Sequence, residues 1–100
     1  MANNAQARKW TLVINNPQEC GLCHDAISKI LMQFSPDYFC MSDEIASTGT
    51  YHTNVFFYSA SPVRFGTIKN RFPAAHIEKA YGTCQQNRDY VMKSGKWADS

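Results

Sequence analysis

One hundred residues make a single domain the default, because one hydrophobic core is typical of roughly 100–200 residues. A composition of 44% hydrophobic and 18% charged residues supports a packed core and excludes a disordered tract, a collagen repeat and a coiled coil. Ten Lys and Arg against eight Asp and Glu leave a net charge of +2, short of an overtly basic nucleic-acid binder, so charge alone selects no partner. No apolar run approaches the roughly 20 residues that cross a bilayer. The first twenty residues also lack the apolar stretch of a signal peptide. The expectation is a soluble, intracellular chain.

Residues 9–15 put Trp10, Leu12 and Ile14 on one face and Thr11, Val13 and Asn15 on the other, an alternation that predicts a strand stopped by Asn16-Pro17. A loop over 18–23 follows. It contains Cys20-Gly-Leu-Cys23-His24, which formally matches C-x-x-C-H. Haem attachment of that kind goes with export, and a tetrahedral zinc site needs a second close cysteine pair that Cys40 and Cys84 do not form. Reduced thiols are therefore expected, with Cys40 and Cys84 as small core residues. Ala26, Ile27, Ile30, Leu31 and Phe34 follow the 3.6-residue period up to Ser35-Pro36, which predicts an amphipathic helix. Segments 38–45 and 50–58, rich in aromatic and β-branched residues and separated by 46–49, predict an antiparallel hairpin.

Residues 59–62 read as a turn cluster. Phe65, Ile68 and Phe72 then predict a short helix within 63–72, ahead of Pro73, with a short strand over 75–80. Thr83 is a plausible N-cap for a helix over 85–93, closed by Ser94-Gly95. The order β, α, β, β, α, β, α predicts an α+β fold. It is an antiparallel sheet of four to five strands with packed helices, of the ferredoxin-like type shared with RNA-recognition motifs.

Period two along 50–58 places His52, Asn54, Phe56 and Tyr58 on one face and Tyr51, Thr53, Val55 and Phe57 on the other. Both ring sets are apolar, so cover on both sides is expected. His52 and Asn54 then lie on a face that otherwise packs rings, with Glu44 opposite them near the hairpin turn. A carboxylate, an imidazole and an amide form a mixed hard ligand set suited to Mg²⁺ or Mn²⁺. The set converges only if the register places Glu44 on the His52 face. The plain alternative is a solvated sheet edge. Tyr90 and Lys93 share a face of the last helix, where the phenol is a possible nucleophile and the ammonium a stabiliser of developing charge. Taken alone, that spacing is more often that of a packed tyrosine and a solvated lysine at a helix C-terminus.

Together these elements resemble the N-terminal endonuclease domain of rolling-circle replication initiators (Rep proteins), the HUH superfamily of small circular single-stranded DNA viruses and related bacterial plasmids. Trp10-Thr-Leu-Val-Ile-Asn-Asn-Pro17 looks like the first motif of that family. Tyr51-His-Thr-Asn-Val-Phe-Phe57 looks like its metal-binding motif, with Glu44 as the upstream acidic ligand. Arg88-Asp-Tyr-Val-Met-Lys-Ser-Gly95 looks like its third, nucleophile-bearing motif. Asn54 stands where the family usually has His or Gln, which keeps an amide oxygen on a shorter stem. The stretch 65–89 looks more like the plasmid-associated bacterial branch than the animal circoviruses.

The resemblance covers essentially the whole chain and implies one HUH domain over 1–100, expected to be the N-terminal part of a longer, helicase-bearing protein. It implies metal-dependent, sequence-specific cleavage of single-stranded origin DNA, at a stem-loop, through a 5′-phosphotyrosyl link that also permits rejoining. In this reading Tyr90 and Lys93 are catalytic, and Glu44, His52 and Asn54 hold Mn²⁺ or Mg²⁺. Asn15, Asn16, Lys69, Arg71 and Arg88 are candidate DNA contacts. Expected locations are the host nucleus for a viral protein and the bacterial cytoplasm for a plasmid-borne one, with no membrane partner. Oligomers are expected only for the helicase-bearing form. Two other classes fit less well. A non-catalytic single-strand binder of the RNA-recognition type would need the Lys/Arg-Gly-Phe/Tyr signature that 51–58 lacks, and a small metal or redox protein would rest on Cys20 and Cys23 alone.

Overall fold

Trp10, Leu12 and Ile14, each about 1% exposed, form the buried side of β1 (Gln6–Asn15), the strand around which the sheet is built. The computed structural model describes residues 5–45, 49–92 and 96–99, with side chains throughout that set except at 18, 20, 92 and 96–99. After β1 come a single 3₁₀ turn (Pro17–Cys20), α1 (His24–Met32), β2 (Tyr38–Ile45) and β3 (Tyr51–Arg64). α2 (Phe65–Arg71), β4 (His76–Lys79), α3 (Cys84–Met92) and β5 (Lys96–Asp99) complete the order. The strands form one sheet in the order β4-β1-β3-β2-β5, and every pairing is antiparallel. This is the ferredoxin-like arrangement, in which each helical crossover skips over one inserted strand.

The two sides of the sheet are unequal. Ile27, Leu31 and Phe34, in and just after α1, and Ile68 and Phe72, in and just after α2, pack on Leu12, Ile14, Met41, Val55, Phe57 and Ile77 to form the main core. On the other side α3 alone covers Cys40 and Phe56 with Val91. Cover on both sides is thus present, and the side under α3 is shorter, leaving the hairpin end of the sheet outside the helix.

One expectation about elements is corrected. The turn cluster at 59–62 belongs to β3, which runs fourteen residues. Pairing with β1 passes from Tyr58↔Lys9 to Val63↔Ala7, so residues 59–62 stand opposite Arg8 alone in a wide bulge. Side chains replace the missing ladder bonds there. The Arg8 guanidinium donates to the Ala60 carbonyl (2.9 Å), the Ala60 N–H donates to the Asp37 carboxylate (2.6 Å), and Pro62 has no N–H to lose. The Trp10 indole N–H, shared between the Ala7 (3.0 Å) and Val63 (3.1 Å) carbonyls, ties the far shoulder together. The second helix accordingly starts at Phe65, because Val63 and Arg64 are still paired with β1. The strand at 96–99, on the outer edge of β2, brings the sheet to five strands, within the four to five expected, although no alternation in so short a segment locates it.

A candidate metal and nucleic-acid site under the last helix

The even-numbered side of the hairpin is built row by row. Glu44 of β2 pairs with His52 of β3, which pairs with Asn15 of β1. The next row runs Ser42, Asn54, Val13, His76 and the third Cys40, Phe56, Thr11, Glu78. The register is therefore the one that puts Glu44 on the His52 face. One Glu44 oxygen, Oε1, meets His52 Nε2 at 2.6 Å and accepts a hydrogen bond from Asn54 Nδ2 at 3.1 Å. His52 is 15% and Glu44 34% exposed, so the pair sits at the rim of the sheet with access to solvent. Gly49, at φ +89°, completes the return into β3 in a conformation that side chains disfavour.

α3 brings Tyr90 over the same face. Its start is fixed by a reciprocal cap: the Gln86 N–H donates to Thr83 Oγ1 (3.0 Å) and the Thr83 N–H donates to Gln86 Oε1 (2.8 Å). Gly82 precedes it at φ +84°, where a Cβ would lie 2.5 Å from that Gln86 oxygen. Its end is seated by Val91 in the Cys40–Phe56 cluster and by the buried Ser42 hydroxyl, which donates to the Val91 carbonyl. Tyr90 itself is 66% exposed. With Thr11, Val13, Asn54, His76 and Glu78 it walls a hollow of about 170 Å³.

The remaining candidates divide by layer. Asn15 and Asn16 end β1 beside His52, with the Asn16 N–H donating to the Tyr51 carbonyl at 2.7 Å. Arg88 lines a second indentation on the α3 side with Tyr38 and Gln85. Lys69 and Arg71 are not brought to this face. Both ride on α2, behind the sheet, where the Lys69 ammonium donates to the Ala75 carbonyl (3.1 Å) and Arg71 borders a hollow with Ile14 and Leu22. Lys93 lies outside the described residues.

Sequence reasoning missed a second polar knot on the opposite face of the same hairpin. Asp43 Oδ1 meets His24 Nε2 at 2.7 Å and accepts a hydrogen bond from Thr53 Oγ1 at 2.8 Å, and the Tyr51 phenol also donates to the Asp43 carboxylate. Burial by itself would raise the Asp43 pKa, but the hydrogen bonds from Tyr51, His24 and Thr53 outweigh it and hold the carboxyl below its ordinary range. The hydrogen bond to Asp43, helped by burial and the carboxylate charge, pushes the Tyr51 phenol up to about 12. In the sequence His24 stands out only as the tail of a cysteine motif. The usable signal was parity, since Asp43 must face away from Glu44 and toward α1.

The donor set at Glu44 fits a hard divalent ion. It offers carboxylate oxygens, one imidazole nitrogen and, when the Asn54 amide turns over, one amide oxygen. Among the described residues no three His, Cys, Asp or Glu side chains are grouped to hold a metal, so such an ion would depend on the amide as its third protein ligand. Cys23, Cys40 and Cys84 are free thiols, exposed, buried and half-buried respectively. No helix among the described residues is long and apolar enough to cross a membrane.

Tyr90, on a capped helix, thus lies on the same face of a ferredoxin-like sheet as Glu44, His52 and Asn54 and shares a hollow with Asn54. Residues 7–94 match the family model described as "Putative viral replication protein", and the chain belongs to that family. It is 33% identical over 102 residues to a replication-associated protein of Human associated cyclovirus 1, covering 98% of this chain and 35% of the relative. It is 33% identical over 88 residues to Para-Rep C2 of Subterranean clover stunt C2 alphasatellite, covering 87% and 31%. It is 35% identical over 94 residues to the replication-associated protein of Porcine circovirus 2, covering 88% and 28%. The chain thus spans about a third of the length of these relatives. All three relatives are proteins of viruses or of a satellite.

Proposed function

We propose that this chain is a metal-dependent, sequence-specific single-stranded DNA endonuclease and strand transferase that initiates rolling-circle replication, with Tyr90 as its nucleophile. The observation that carries the reading is the shared geometry of two groups. Glu44, His52 and Asn54 meet at one oxygen, and Asn54 and Tyr90 wall one hollow. The name "replication-associated protein" on several relatives supports the same reading.

In this reaction the Tyr90 hydroxyl oxygen attacks the scissile phosphorus and an O–P bond forms. The P–O3′ bond breaks and the phenol proton is made up on the departing 3′-oxygen by way of solvent, which leaves a 3′-hydroxyl and a 5′-phosphotyrosyl link. One phosphodiester replaces another, so the reverse attack by a 3′-hydroxyl rejoins strands at little free-energy cost. Glu44, His52 and Asn54 would hold Mn²⁺ or Mg²⁺, which supplies Lewis acidity at the phosphate. The protein's own part is positional. Val91 and Ser42 seat the helix that carries Tyr90, and the Asp43 knot fixes the hairpin that carries the ligand set. Lys93, three residues after Tyr90, is assigned to the developing charge by its spacing in the sequence. Asn15, Asn16 and Arg88 are the contacts we assign to the strand, because they border this face.

A base-stacking platform of the RNA-recognition type is not favoured, since Phe56, the central ring of this face, is fully buried beneath α3. The test is incubation with a pool of hairpin oligonucleotides and Mn²⁺, followed by denaturing electrophoresis. A covalent protein–DNA band is expected for the wild type and none for Tyr90→Phe, with single-strand binding retained. A band of equal strength with Tyr90→Phe overturns the assignment.

A further inference from the structure

Of the three side chains assigned to the ion, only Glu44 lies on β2, and the sheet supports it least. His52 and Asn54 lie on β3, with Asn15 and Val13 of β1 on one side and Glu44 and Ser42 of β2 on the other. β5 follows β2 from Cys40 to Asp43, so among the described residues Glu44 and Ile45 pair with β3 alone. The two residues before Glu44 are instead tied from opposite faces. On the Tyr90 side the Ser42 hydroxyl donates to the Val91 carbonyl. On the other side the Asp43 carboxylate accepts from Thr53 and Tyr51, the residues that bracket His52 in sequence, and meets His24 Nε2 at 2.7 Å. Of these three donors only His24 comes from outside the hairpin. It opens α1, which the fully buried Ile27 and Leu31 fasten to the main core. The Ser28 hydroxyl (2.9 Å) donates to the His24 carbonyl and firms that first turn. Neither the transfer reaction nor the ligand set uses His24, which lies on the side of the sheet away from Tyr90.

We propose that His24 is a positioning residue for the divalent ion: by anchoring Asp43 to α1 it fixes the β2 backbone one residue before Glu44, and so holds that carboxylate where His52 and Asn54 meet it. Successive strand residues point to opposite faces, and a planar peptide joins them, so a shift of Asp43 carries Glu44 with it. Without the anchor, the end of β2 is ordered only when the ion binds, and that ordering is subtracted from the affinity. Groups standing behind metal ligands typically alter affinity or activity by about 10- to 100-fold. His24 differs from such a group in acting through the backbone, across the sheet, from a helix that carries no ligand. This inference deepens the nuclease reading and rests on it only for the ion.

The experiment titrates DNA-free protein with Mn²⁺ and follows the free ion by electron paramagnetic resonance, for the wild type, His24→Ala, His24→Gln and Glu44→Ala. The His24 side chain is 30% exposed and Asp43 keeps its Thr53 and Tyr51 bonds, so both His24 variants fold. His24→Ala is expected to weaken Mn²⁺ binding about tenfold. His24→Gln, whose amide N–H can reach the same oxygen, is expected to stay within about threefold of wild type. In the adduct assay His24→Ala should raise the Mn²⁺ concentration for half-maximal rate by the same factor and leave the rate at saturating Mn²⁺ unchanged. A general loosening of the fold would lower the saturating rate and would not be rescued by Gln. Equal affinity in His24→Ala and wild type, a loss in His24→Gln as large as in His24→Ala, or a fallen saturating rate would each overturn the proposal. Glu44→Ala separates the two levels of inference. Mn²⁺ binding that survives Glu44→Ala refutes the ion reading and the role of His24 with it, whereas binding lost in Glu44→Ala but intact in His24→Ala refutes the role of His24 alone.

Discussion

Asp43 and Glu44 are neighbours in sequence, each accepts a bond from a histidine, and they should nevertheless behave oppositely on substitution. Asp43 is 16% exposed and accepts from His24, Thr53 and Tyr51. A hydrogen bond to a charged group contributes about 1.5–3 kcal/mol, and the three are not additive because they share one acceptor. Thr53 is 1% exposed, so its orphaned hydroxyl would find no water. Asp43→Ala is therefore expected to cost about 3 kcal/mol, which for a domain of this size lowers Tm by about 12–24 °C. Glu44 is a third exposed, and its exposed-type contacts with His52 and Asn54 contribute about 1 kcal/mol or less. Glu44→Ala should lower Tm by only a few degrees and yet nearly eliminate Mn²⁺-dependent cleavage. Thermal unfolding followed by circular dichroism, alongside the cleavage assay, separates the two. The pH dependence adds a sign. Asp43, with its pKa depressed on folding, stabilises above its unfolded pKa near about 3.9 and loses that contribution as pH falls through the lower folded value. Tyr51, raised to about 12, stabilises below its unfolded pKa near about 10 and loses its share as pH climbs toward 12. Asp43→Asn should flatten both ends of the profile. An Asp43→Ala protein within about 0.5 kcal/mol of wild type, or a Glu44→Ala protein equally destabilised, would refute the division of labour.

At the ligand set, His52→Ala should nearly abolish cleavage, whereas Asn54→His should preserve or raise Mn²⁺ affinity, read from the metal titration of cleavage rate. Cleavage by His52→Ala that resists chelators would show the ion to lie elsewhere. Thr83→Ala breaks the reciprocal cap and should cost about 1 kcal/mol, with a slower adduct rate because α3 carries Tyr90; unchanged unfolding would show that the Gln86 half suffices. Charge reversal at Lys69 and Arg71 should leave DNA affinity and its salt dependence nearly unchanged, since both sit behind the sheet. A shallower salt slope in binding titrations would mean that the strand reaches α2.

Periodicity made most of this architecture legible. Trp10, Leu12 and Ile14 mark the buried face of β1, Ile27 and Leu31 that of α1, and parity along β3 groups His52 with Asn54, while Glu44 joins them only through the register that the structure shows. What stayed hidden depended on partners distant in sequence. Serine and proline at 59–62 look like a turn because their composition is that of turns. They are extended because Arg8 and Asp37, about fifty and twenty residues away, supply bonds that no local pattern encodes. His24 was obscured by the cysteines before it, and its partner Asp43 by the functional interest of Glu44. β5 owes its existence to the free edge of β2 more than to its own four residues. Lys69 and Arg71 are marked by their charge and their place on the helix before β4, and neither says which side of a sheet a helix will take.

The wide bulge has an architectural consequence of its own. Because four residues of β3 stand opposite one of β1, the ladder on either side of 59–62 is aligned independently, with Arg8 bonded inside the bulge and Trp10 clamping its far shoulder. A residue gained or lost there changes the length of the bulge and shifts no pairing between Tyr58 and His52. The sheet is in effect two panels joined by a seam that side chains brace. The panel bearing Glu44, His52 and Asn54 is shielded from length changes on the α2 side, so insertions arising near residue 60 would be absorbed locally and would leave the chemistry at the other end untouched.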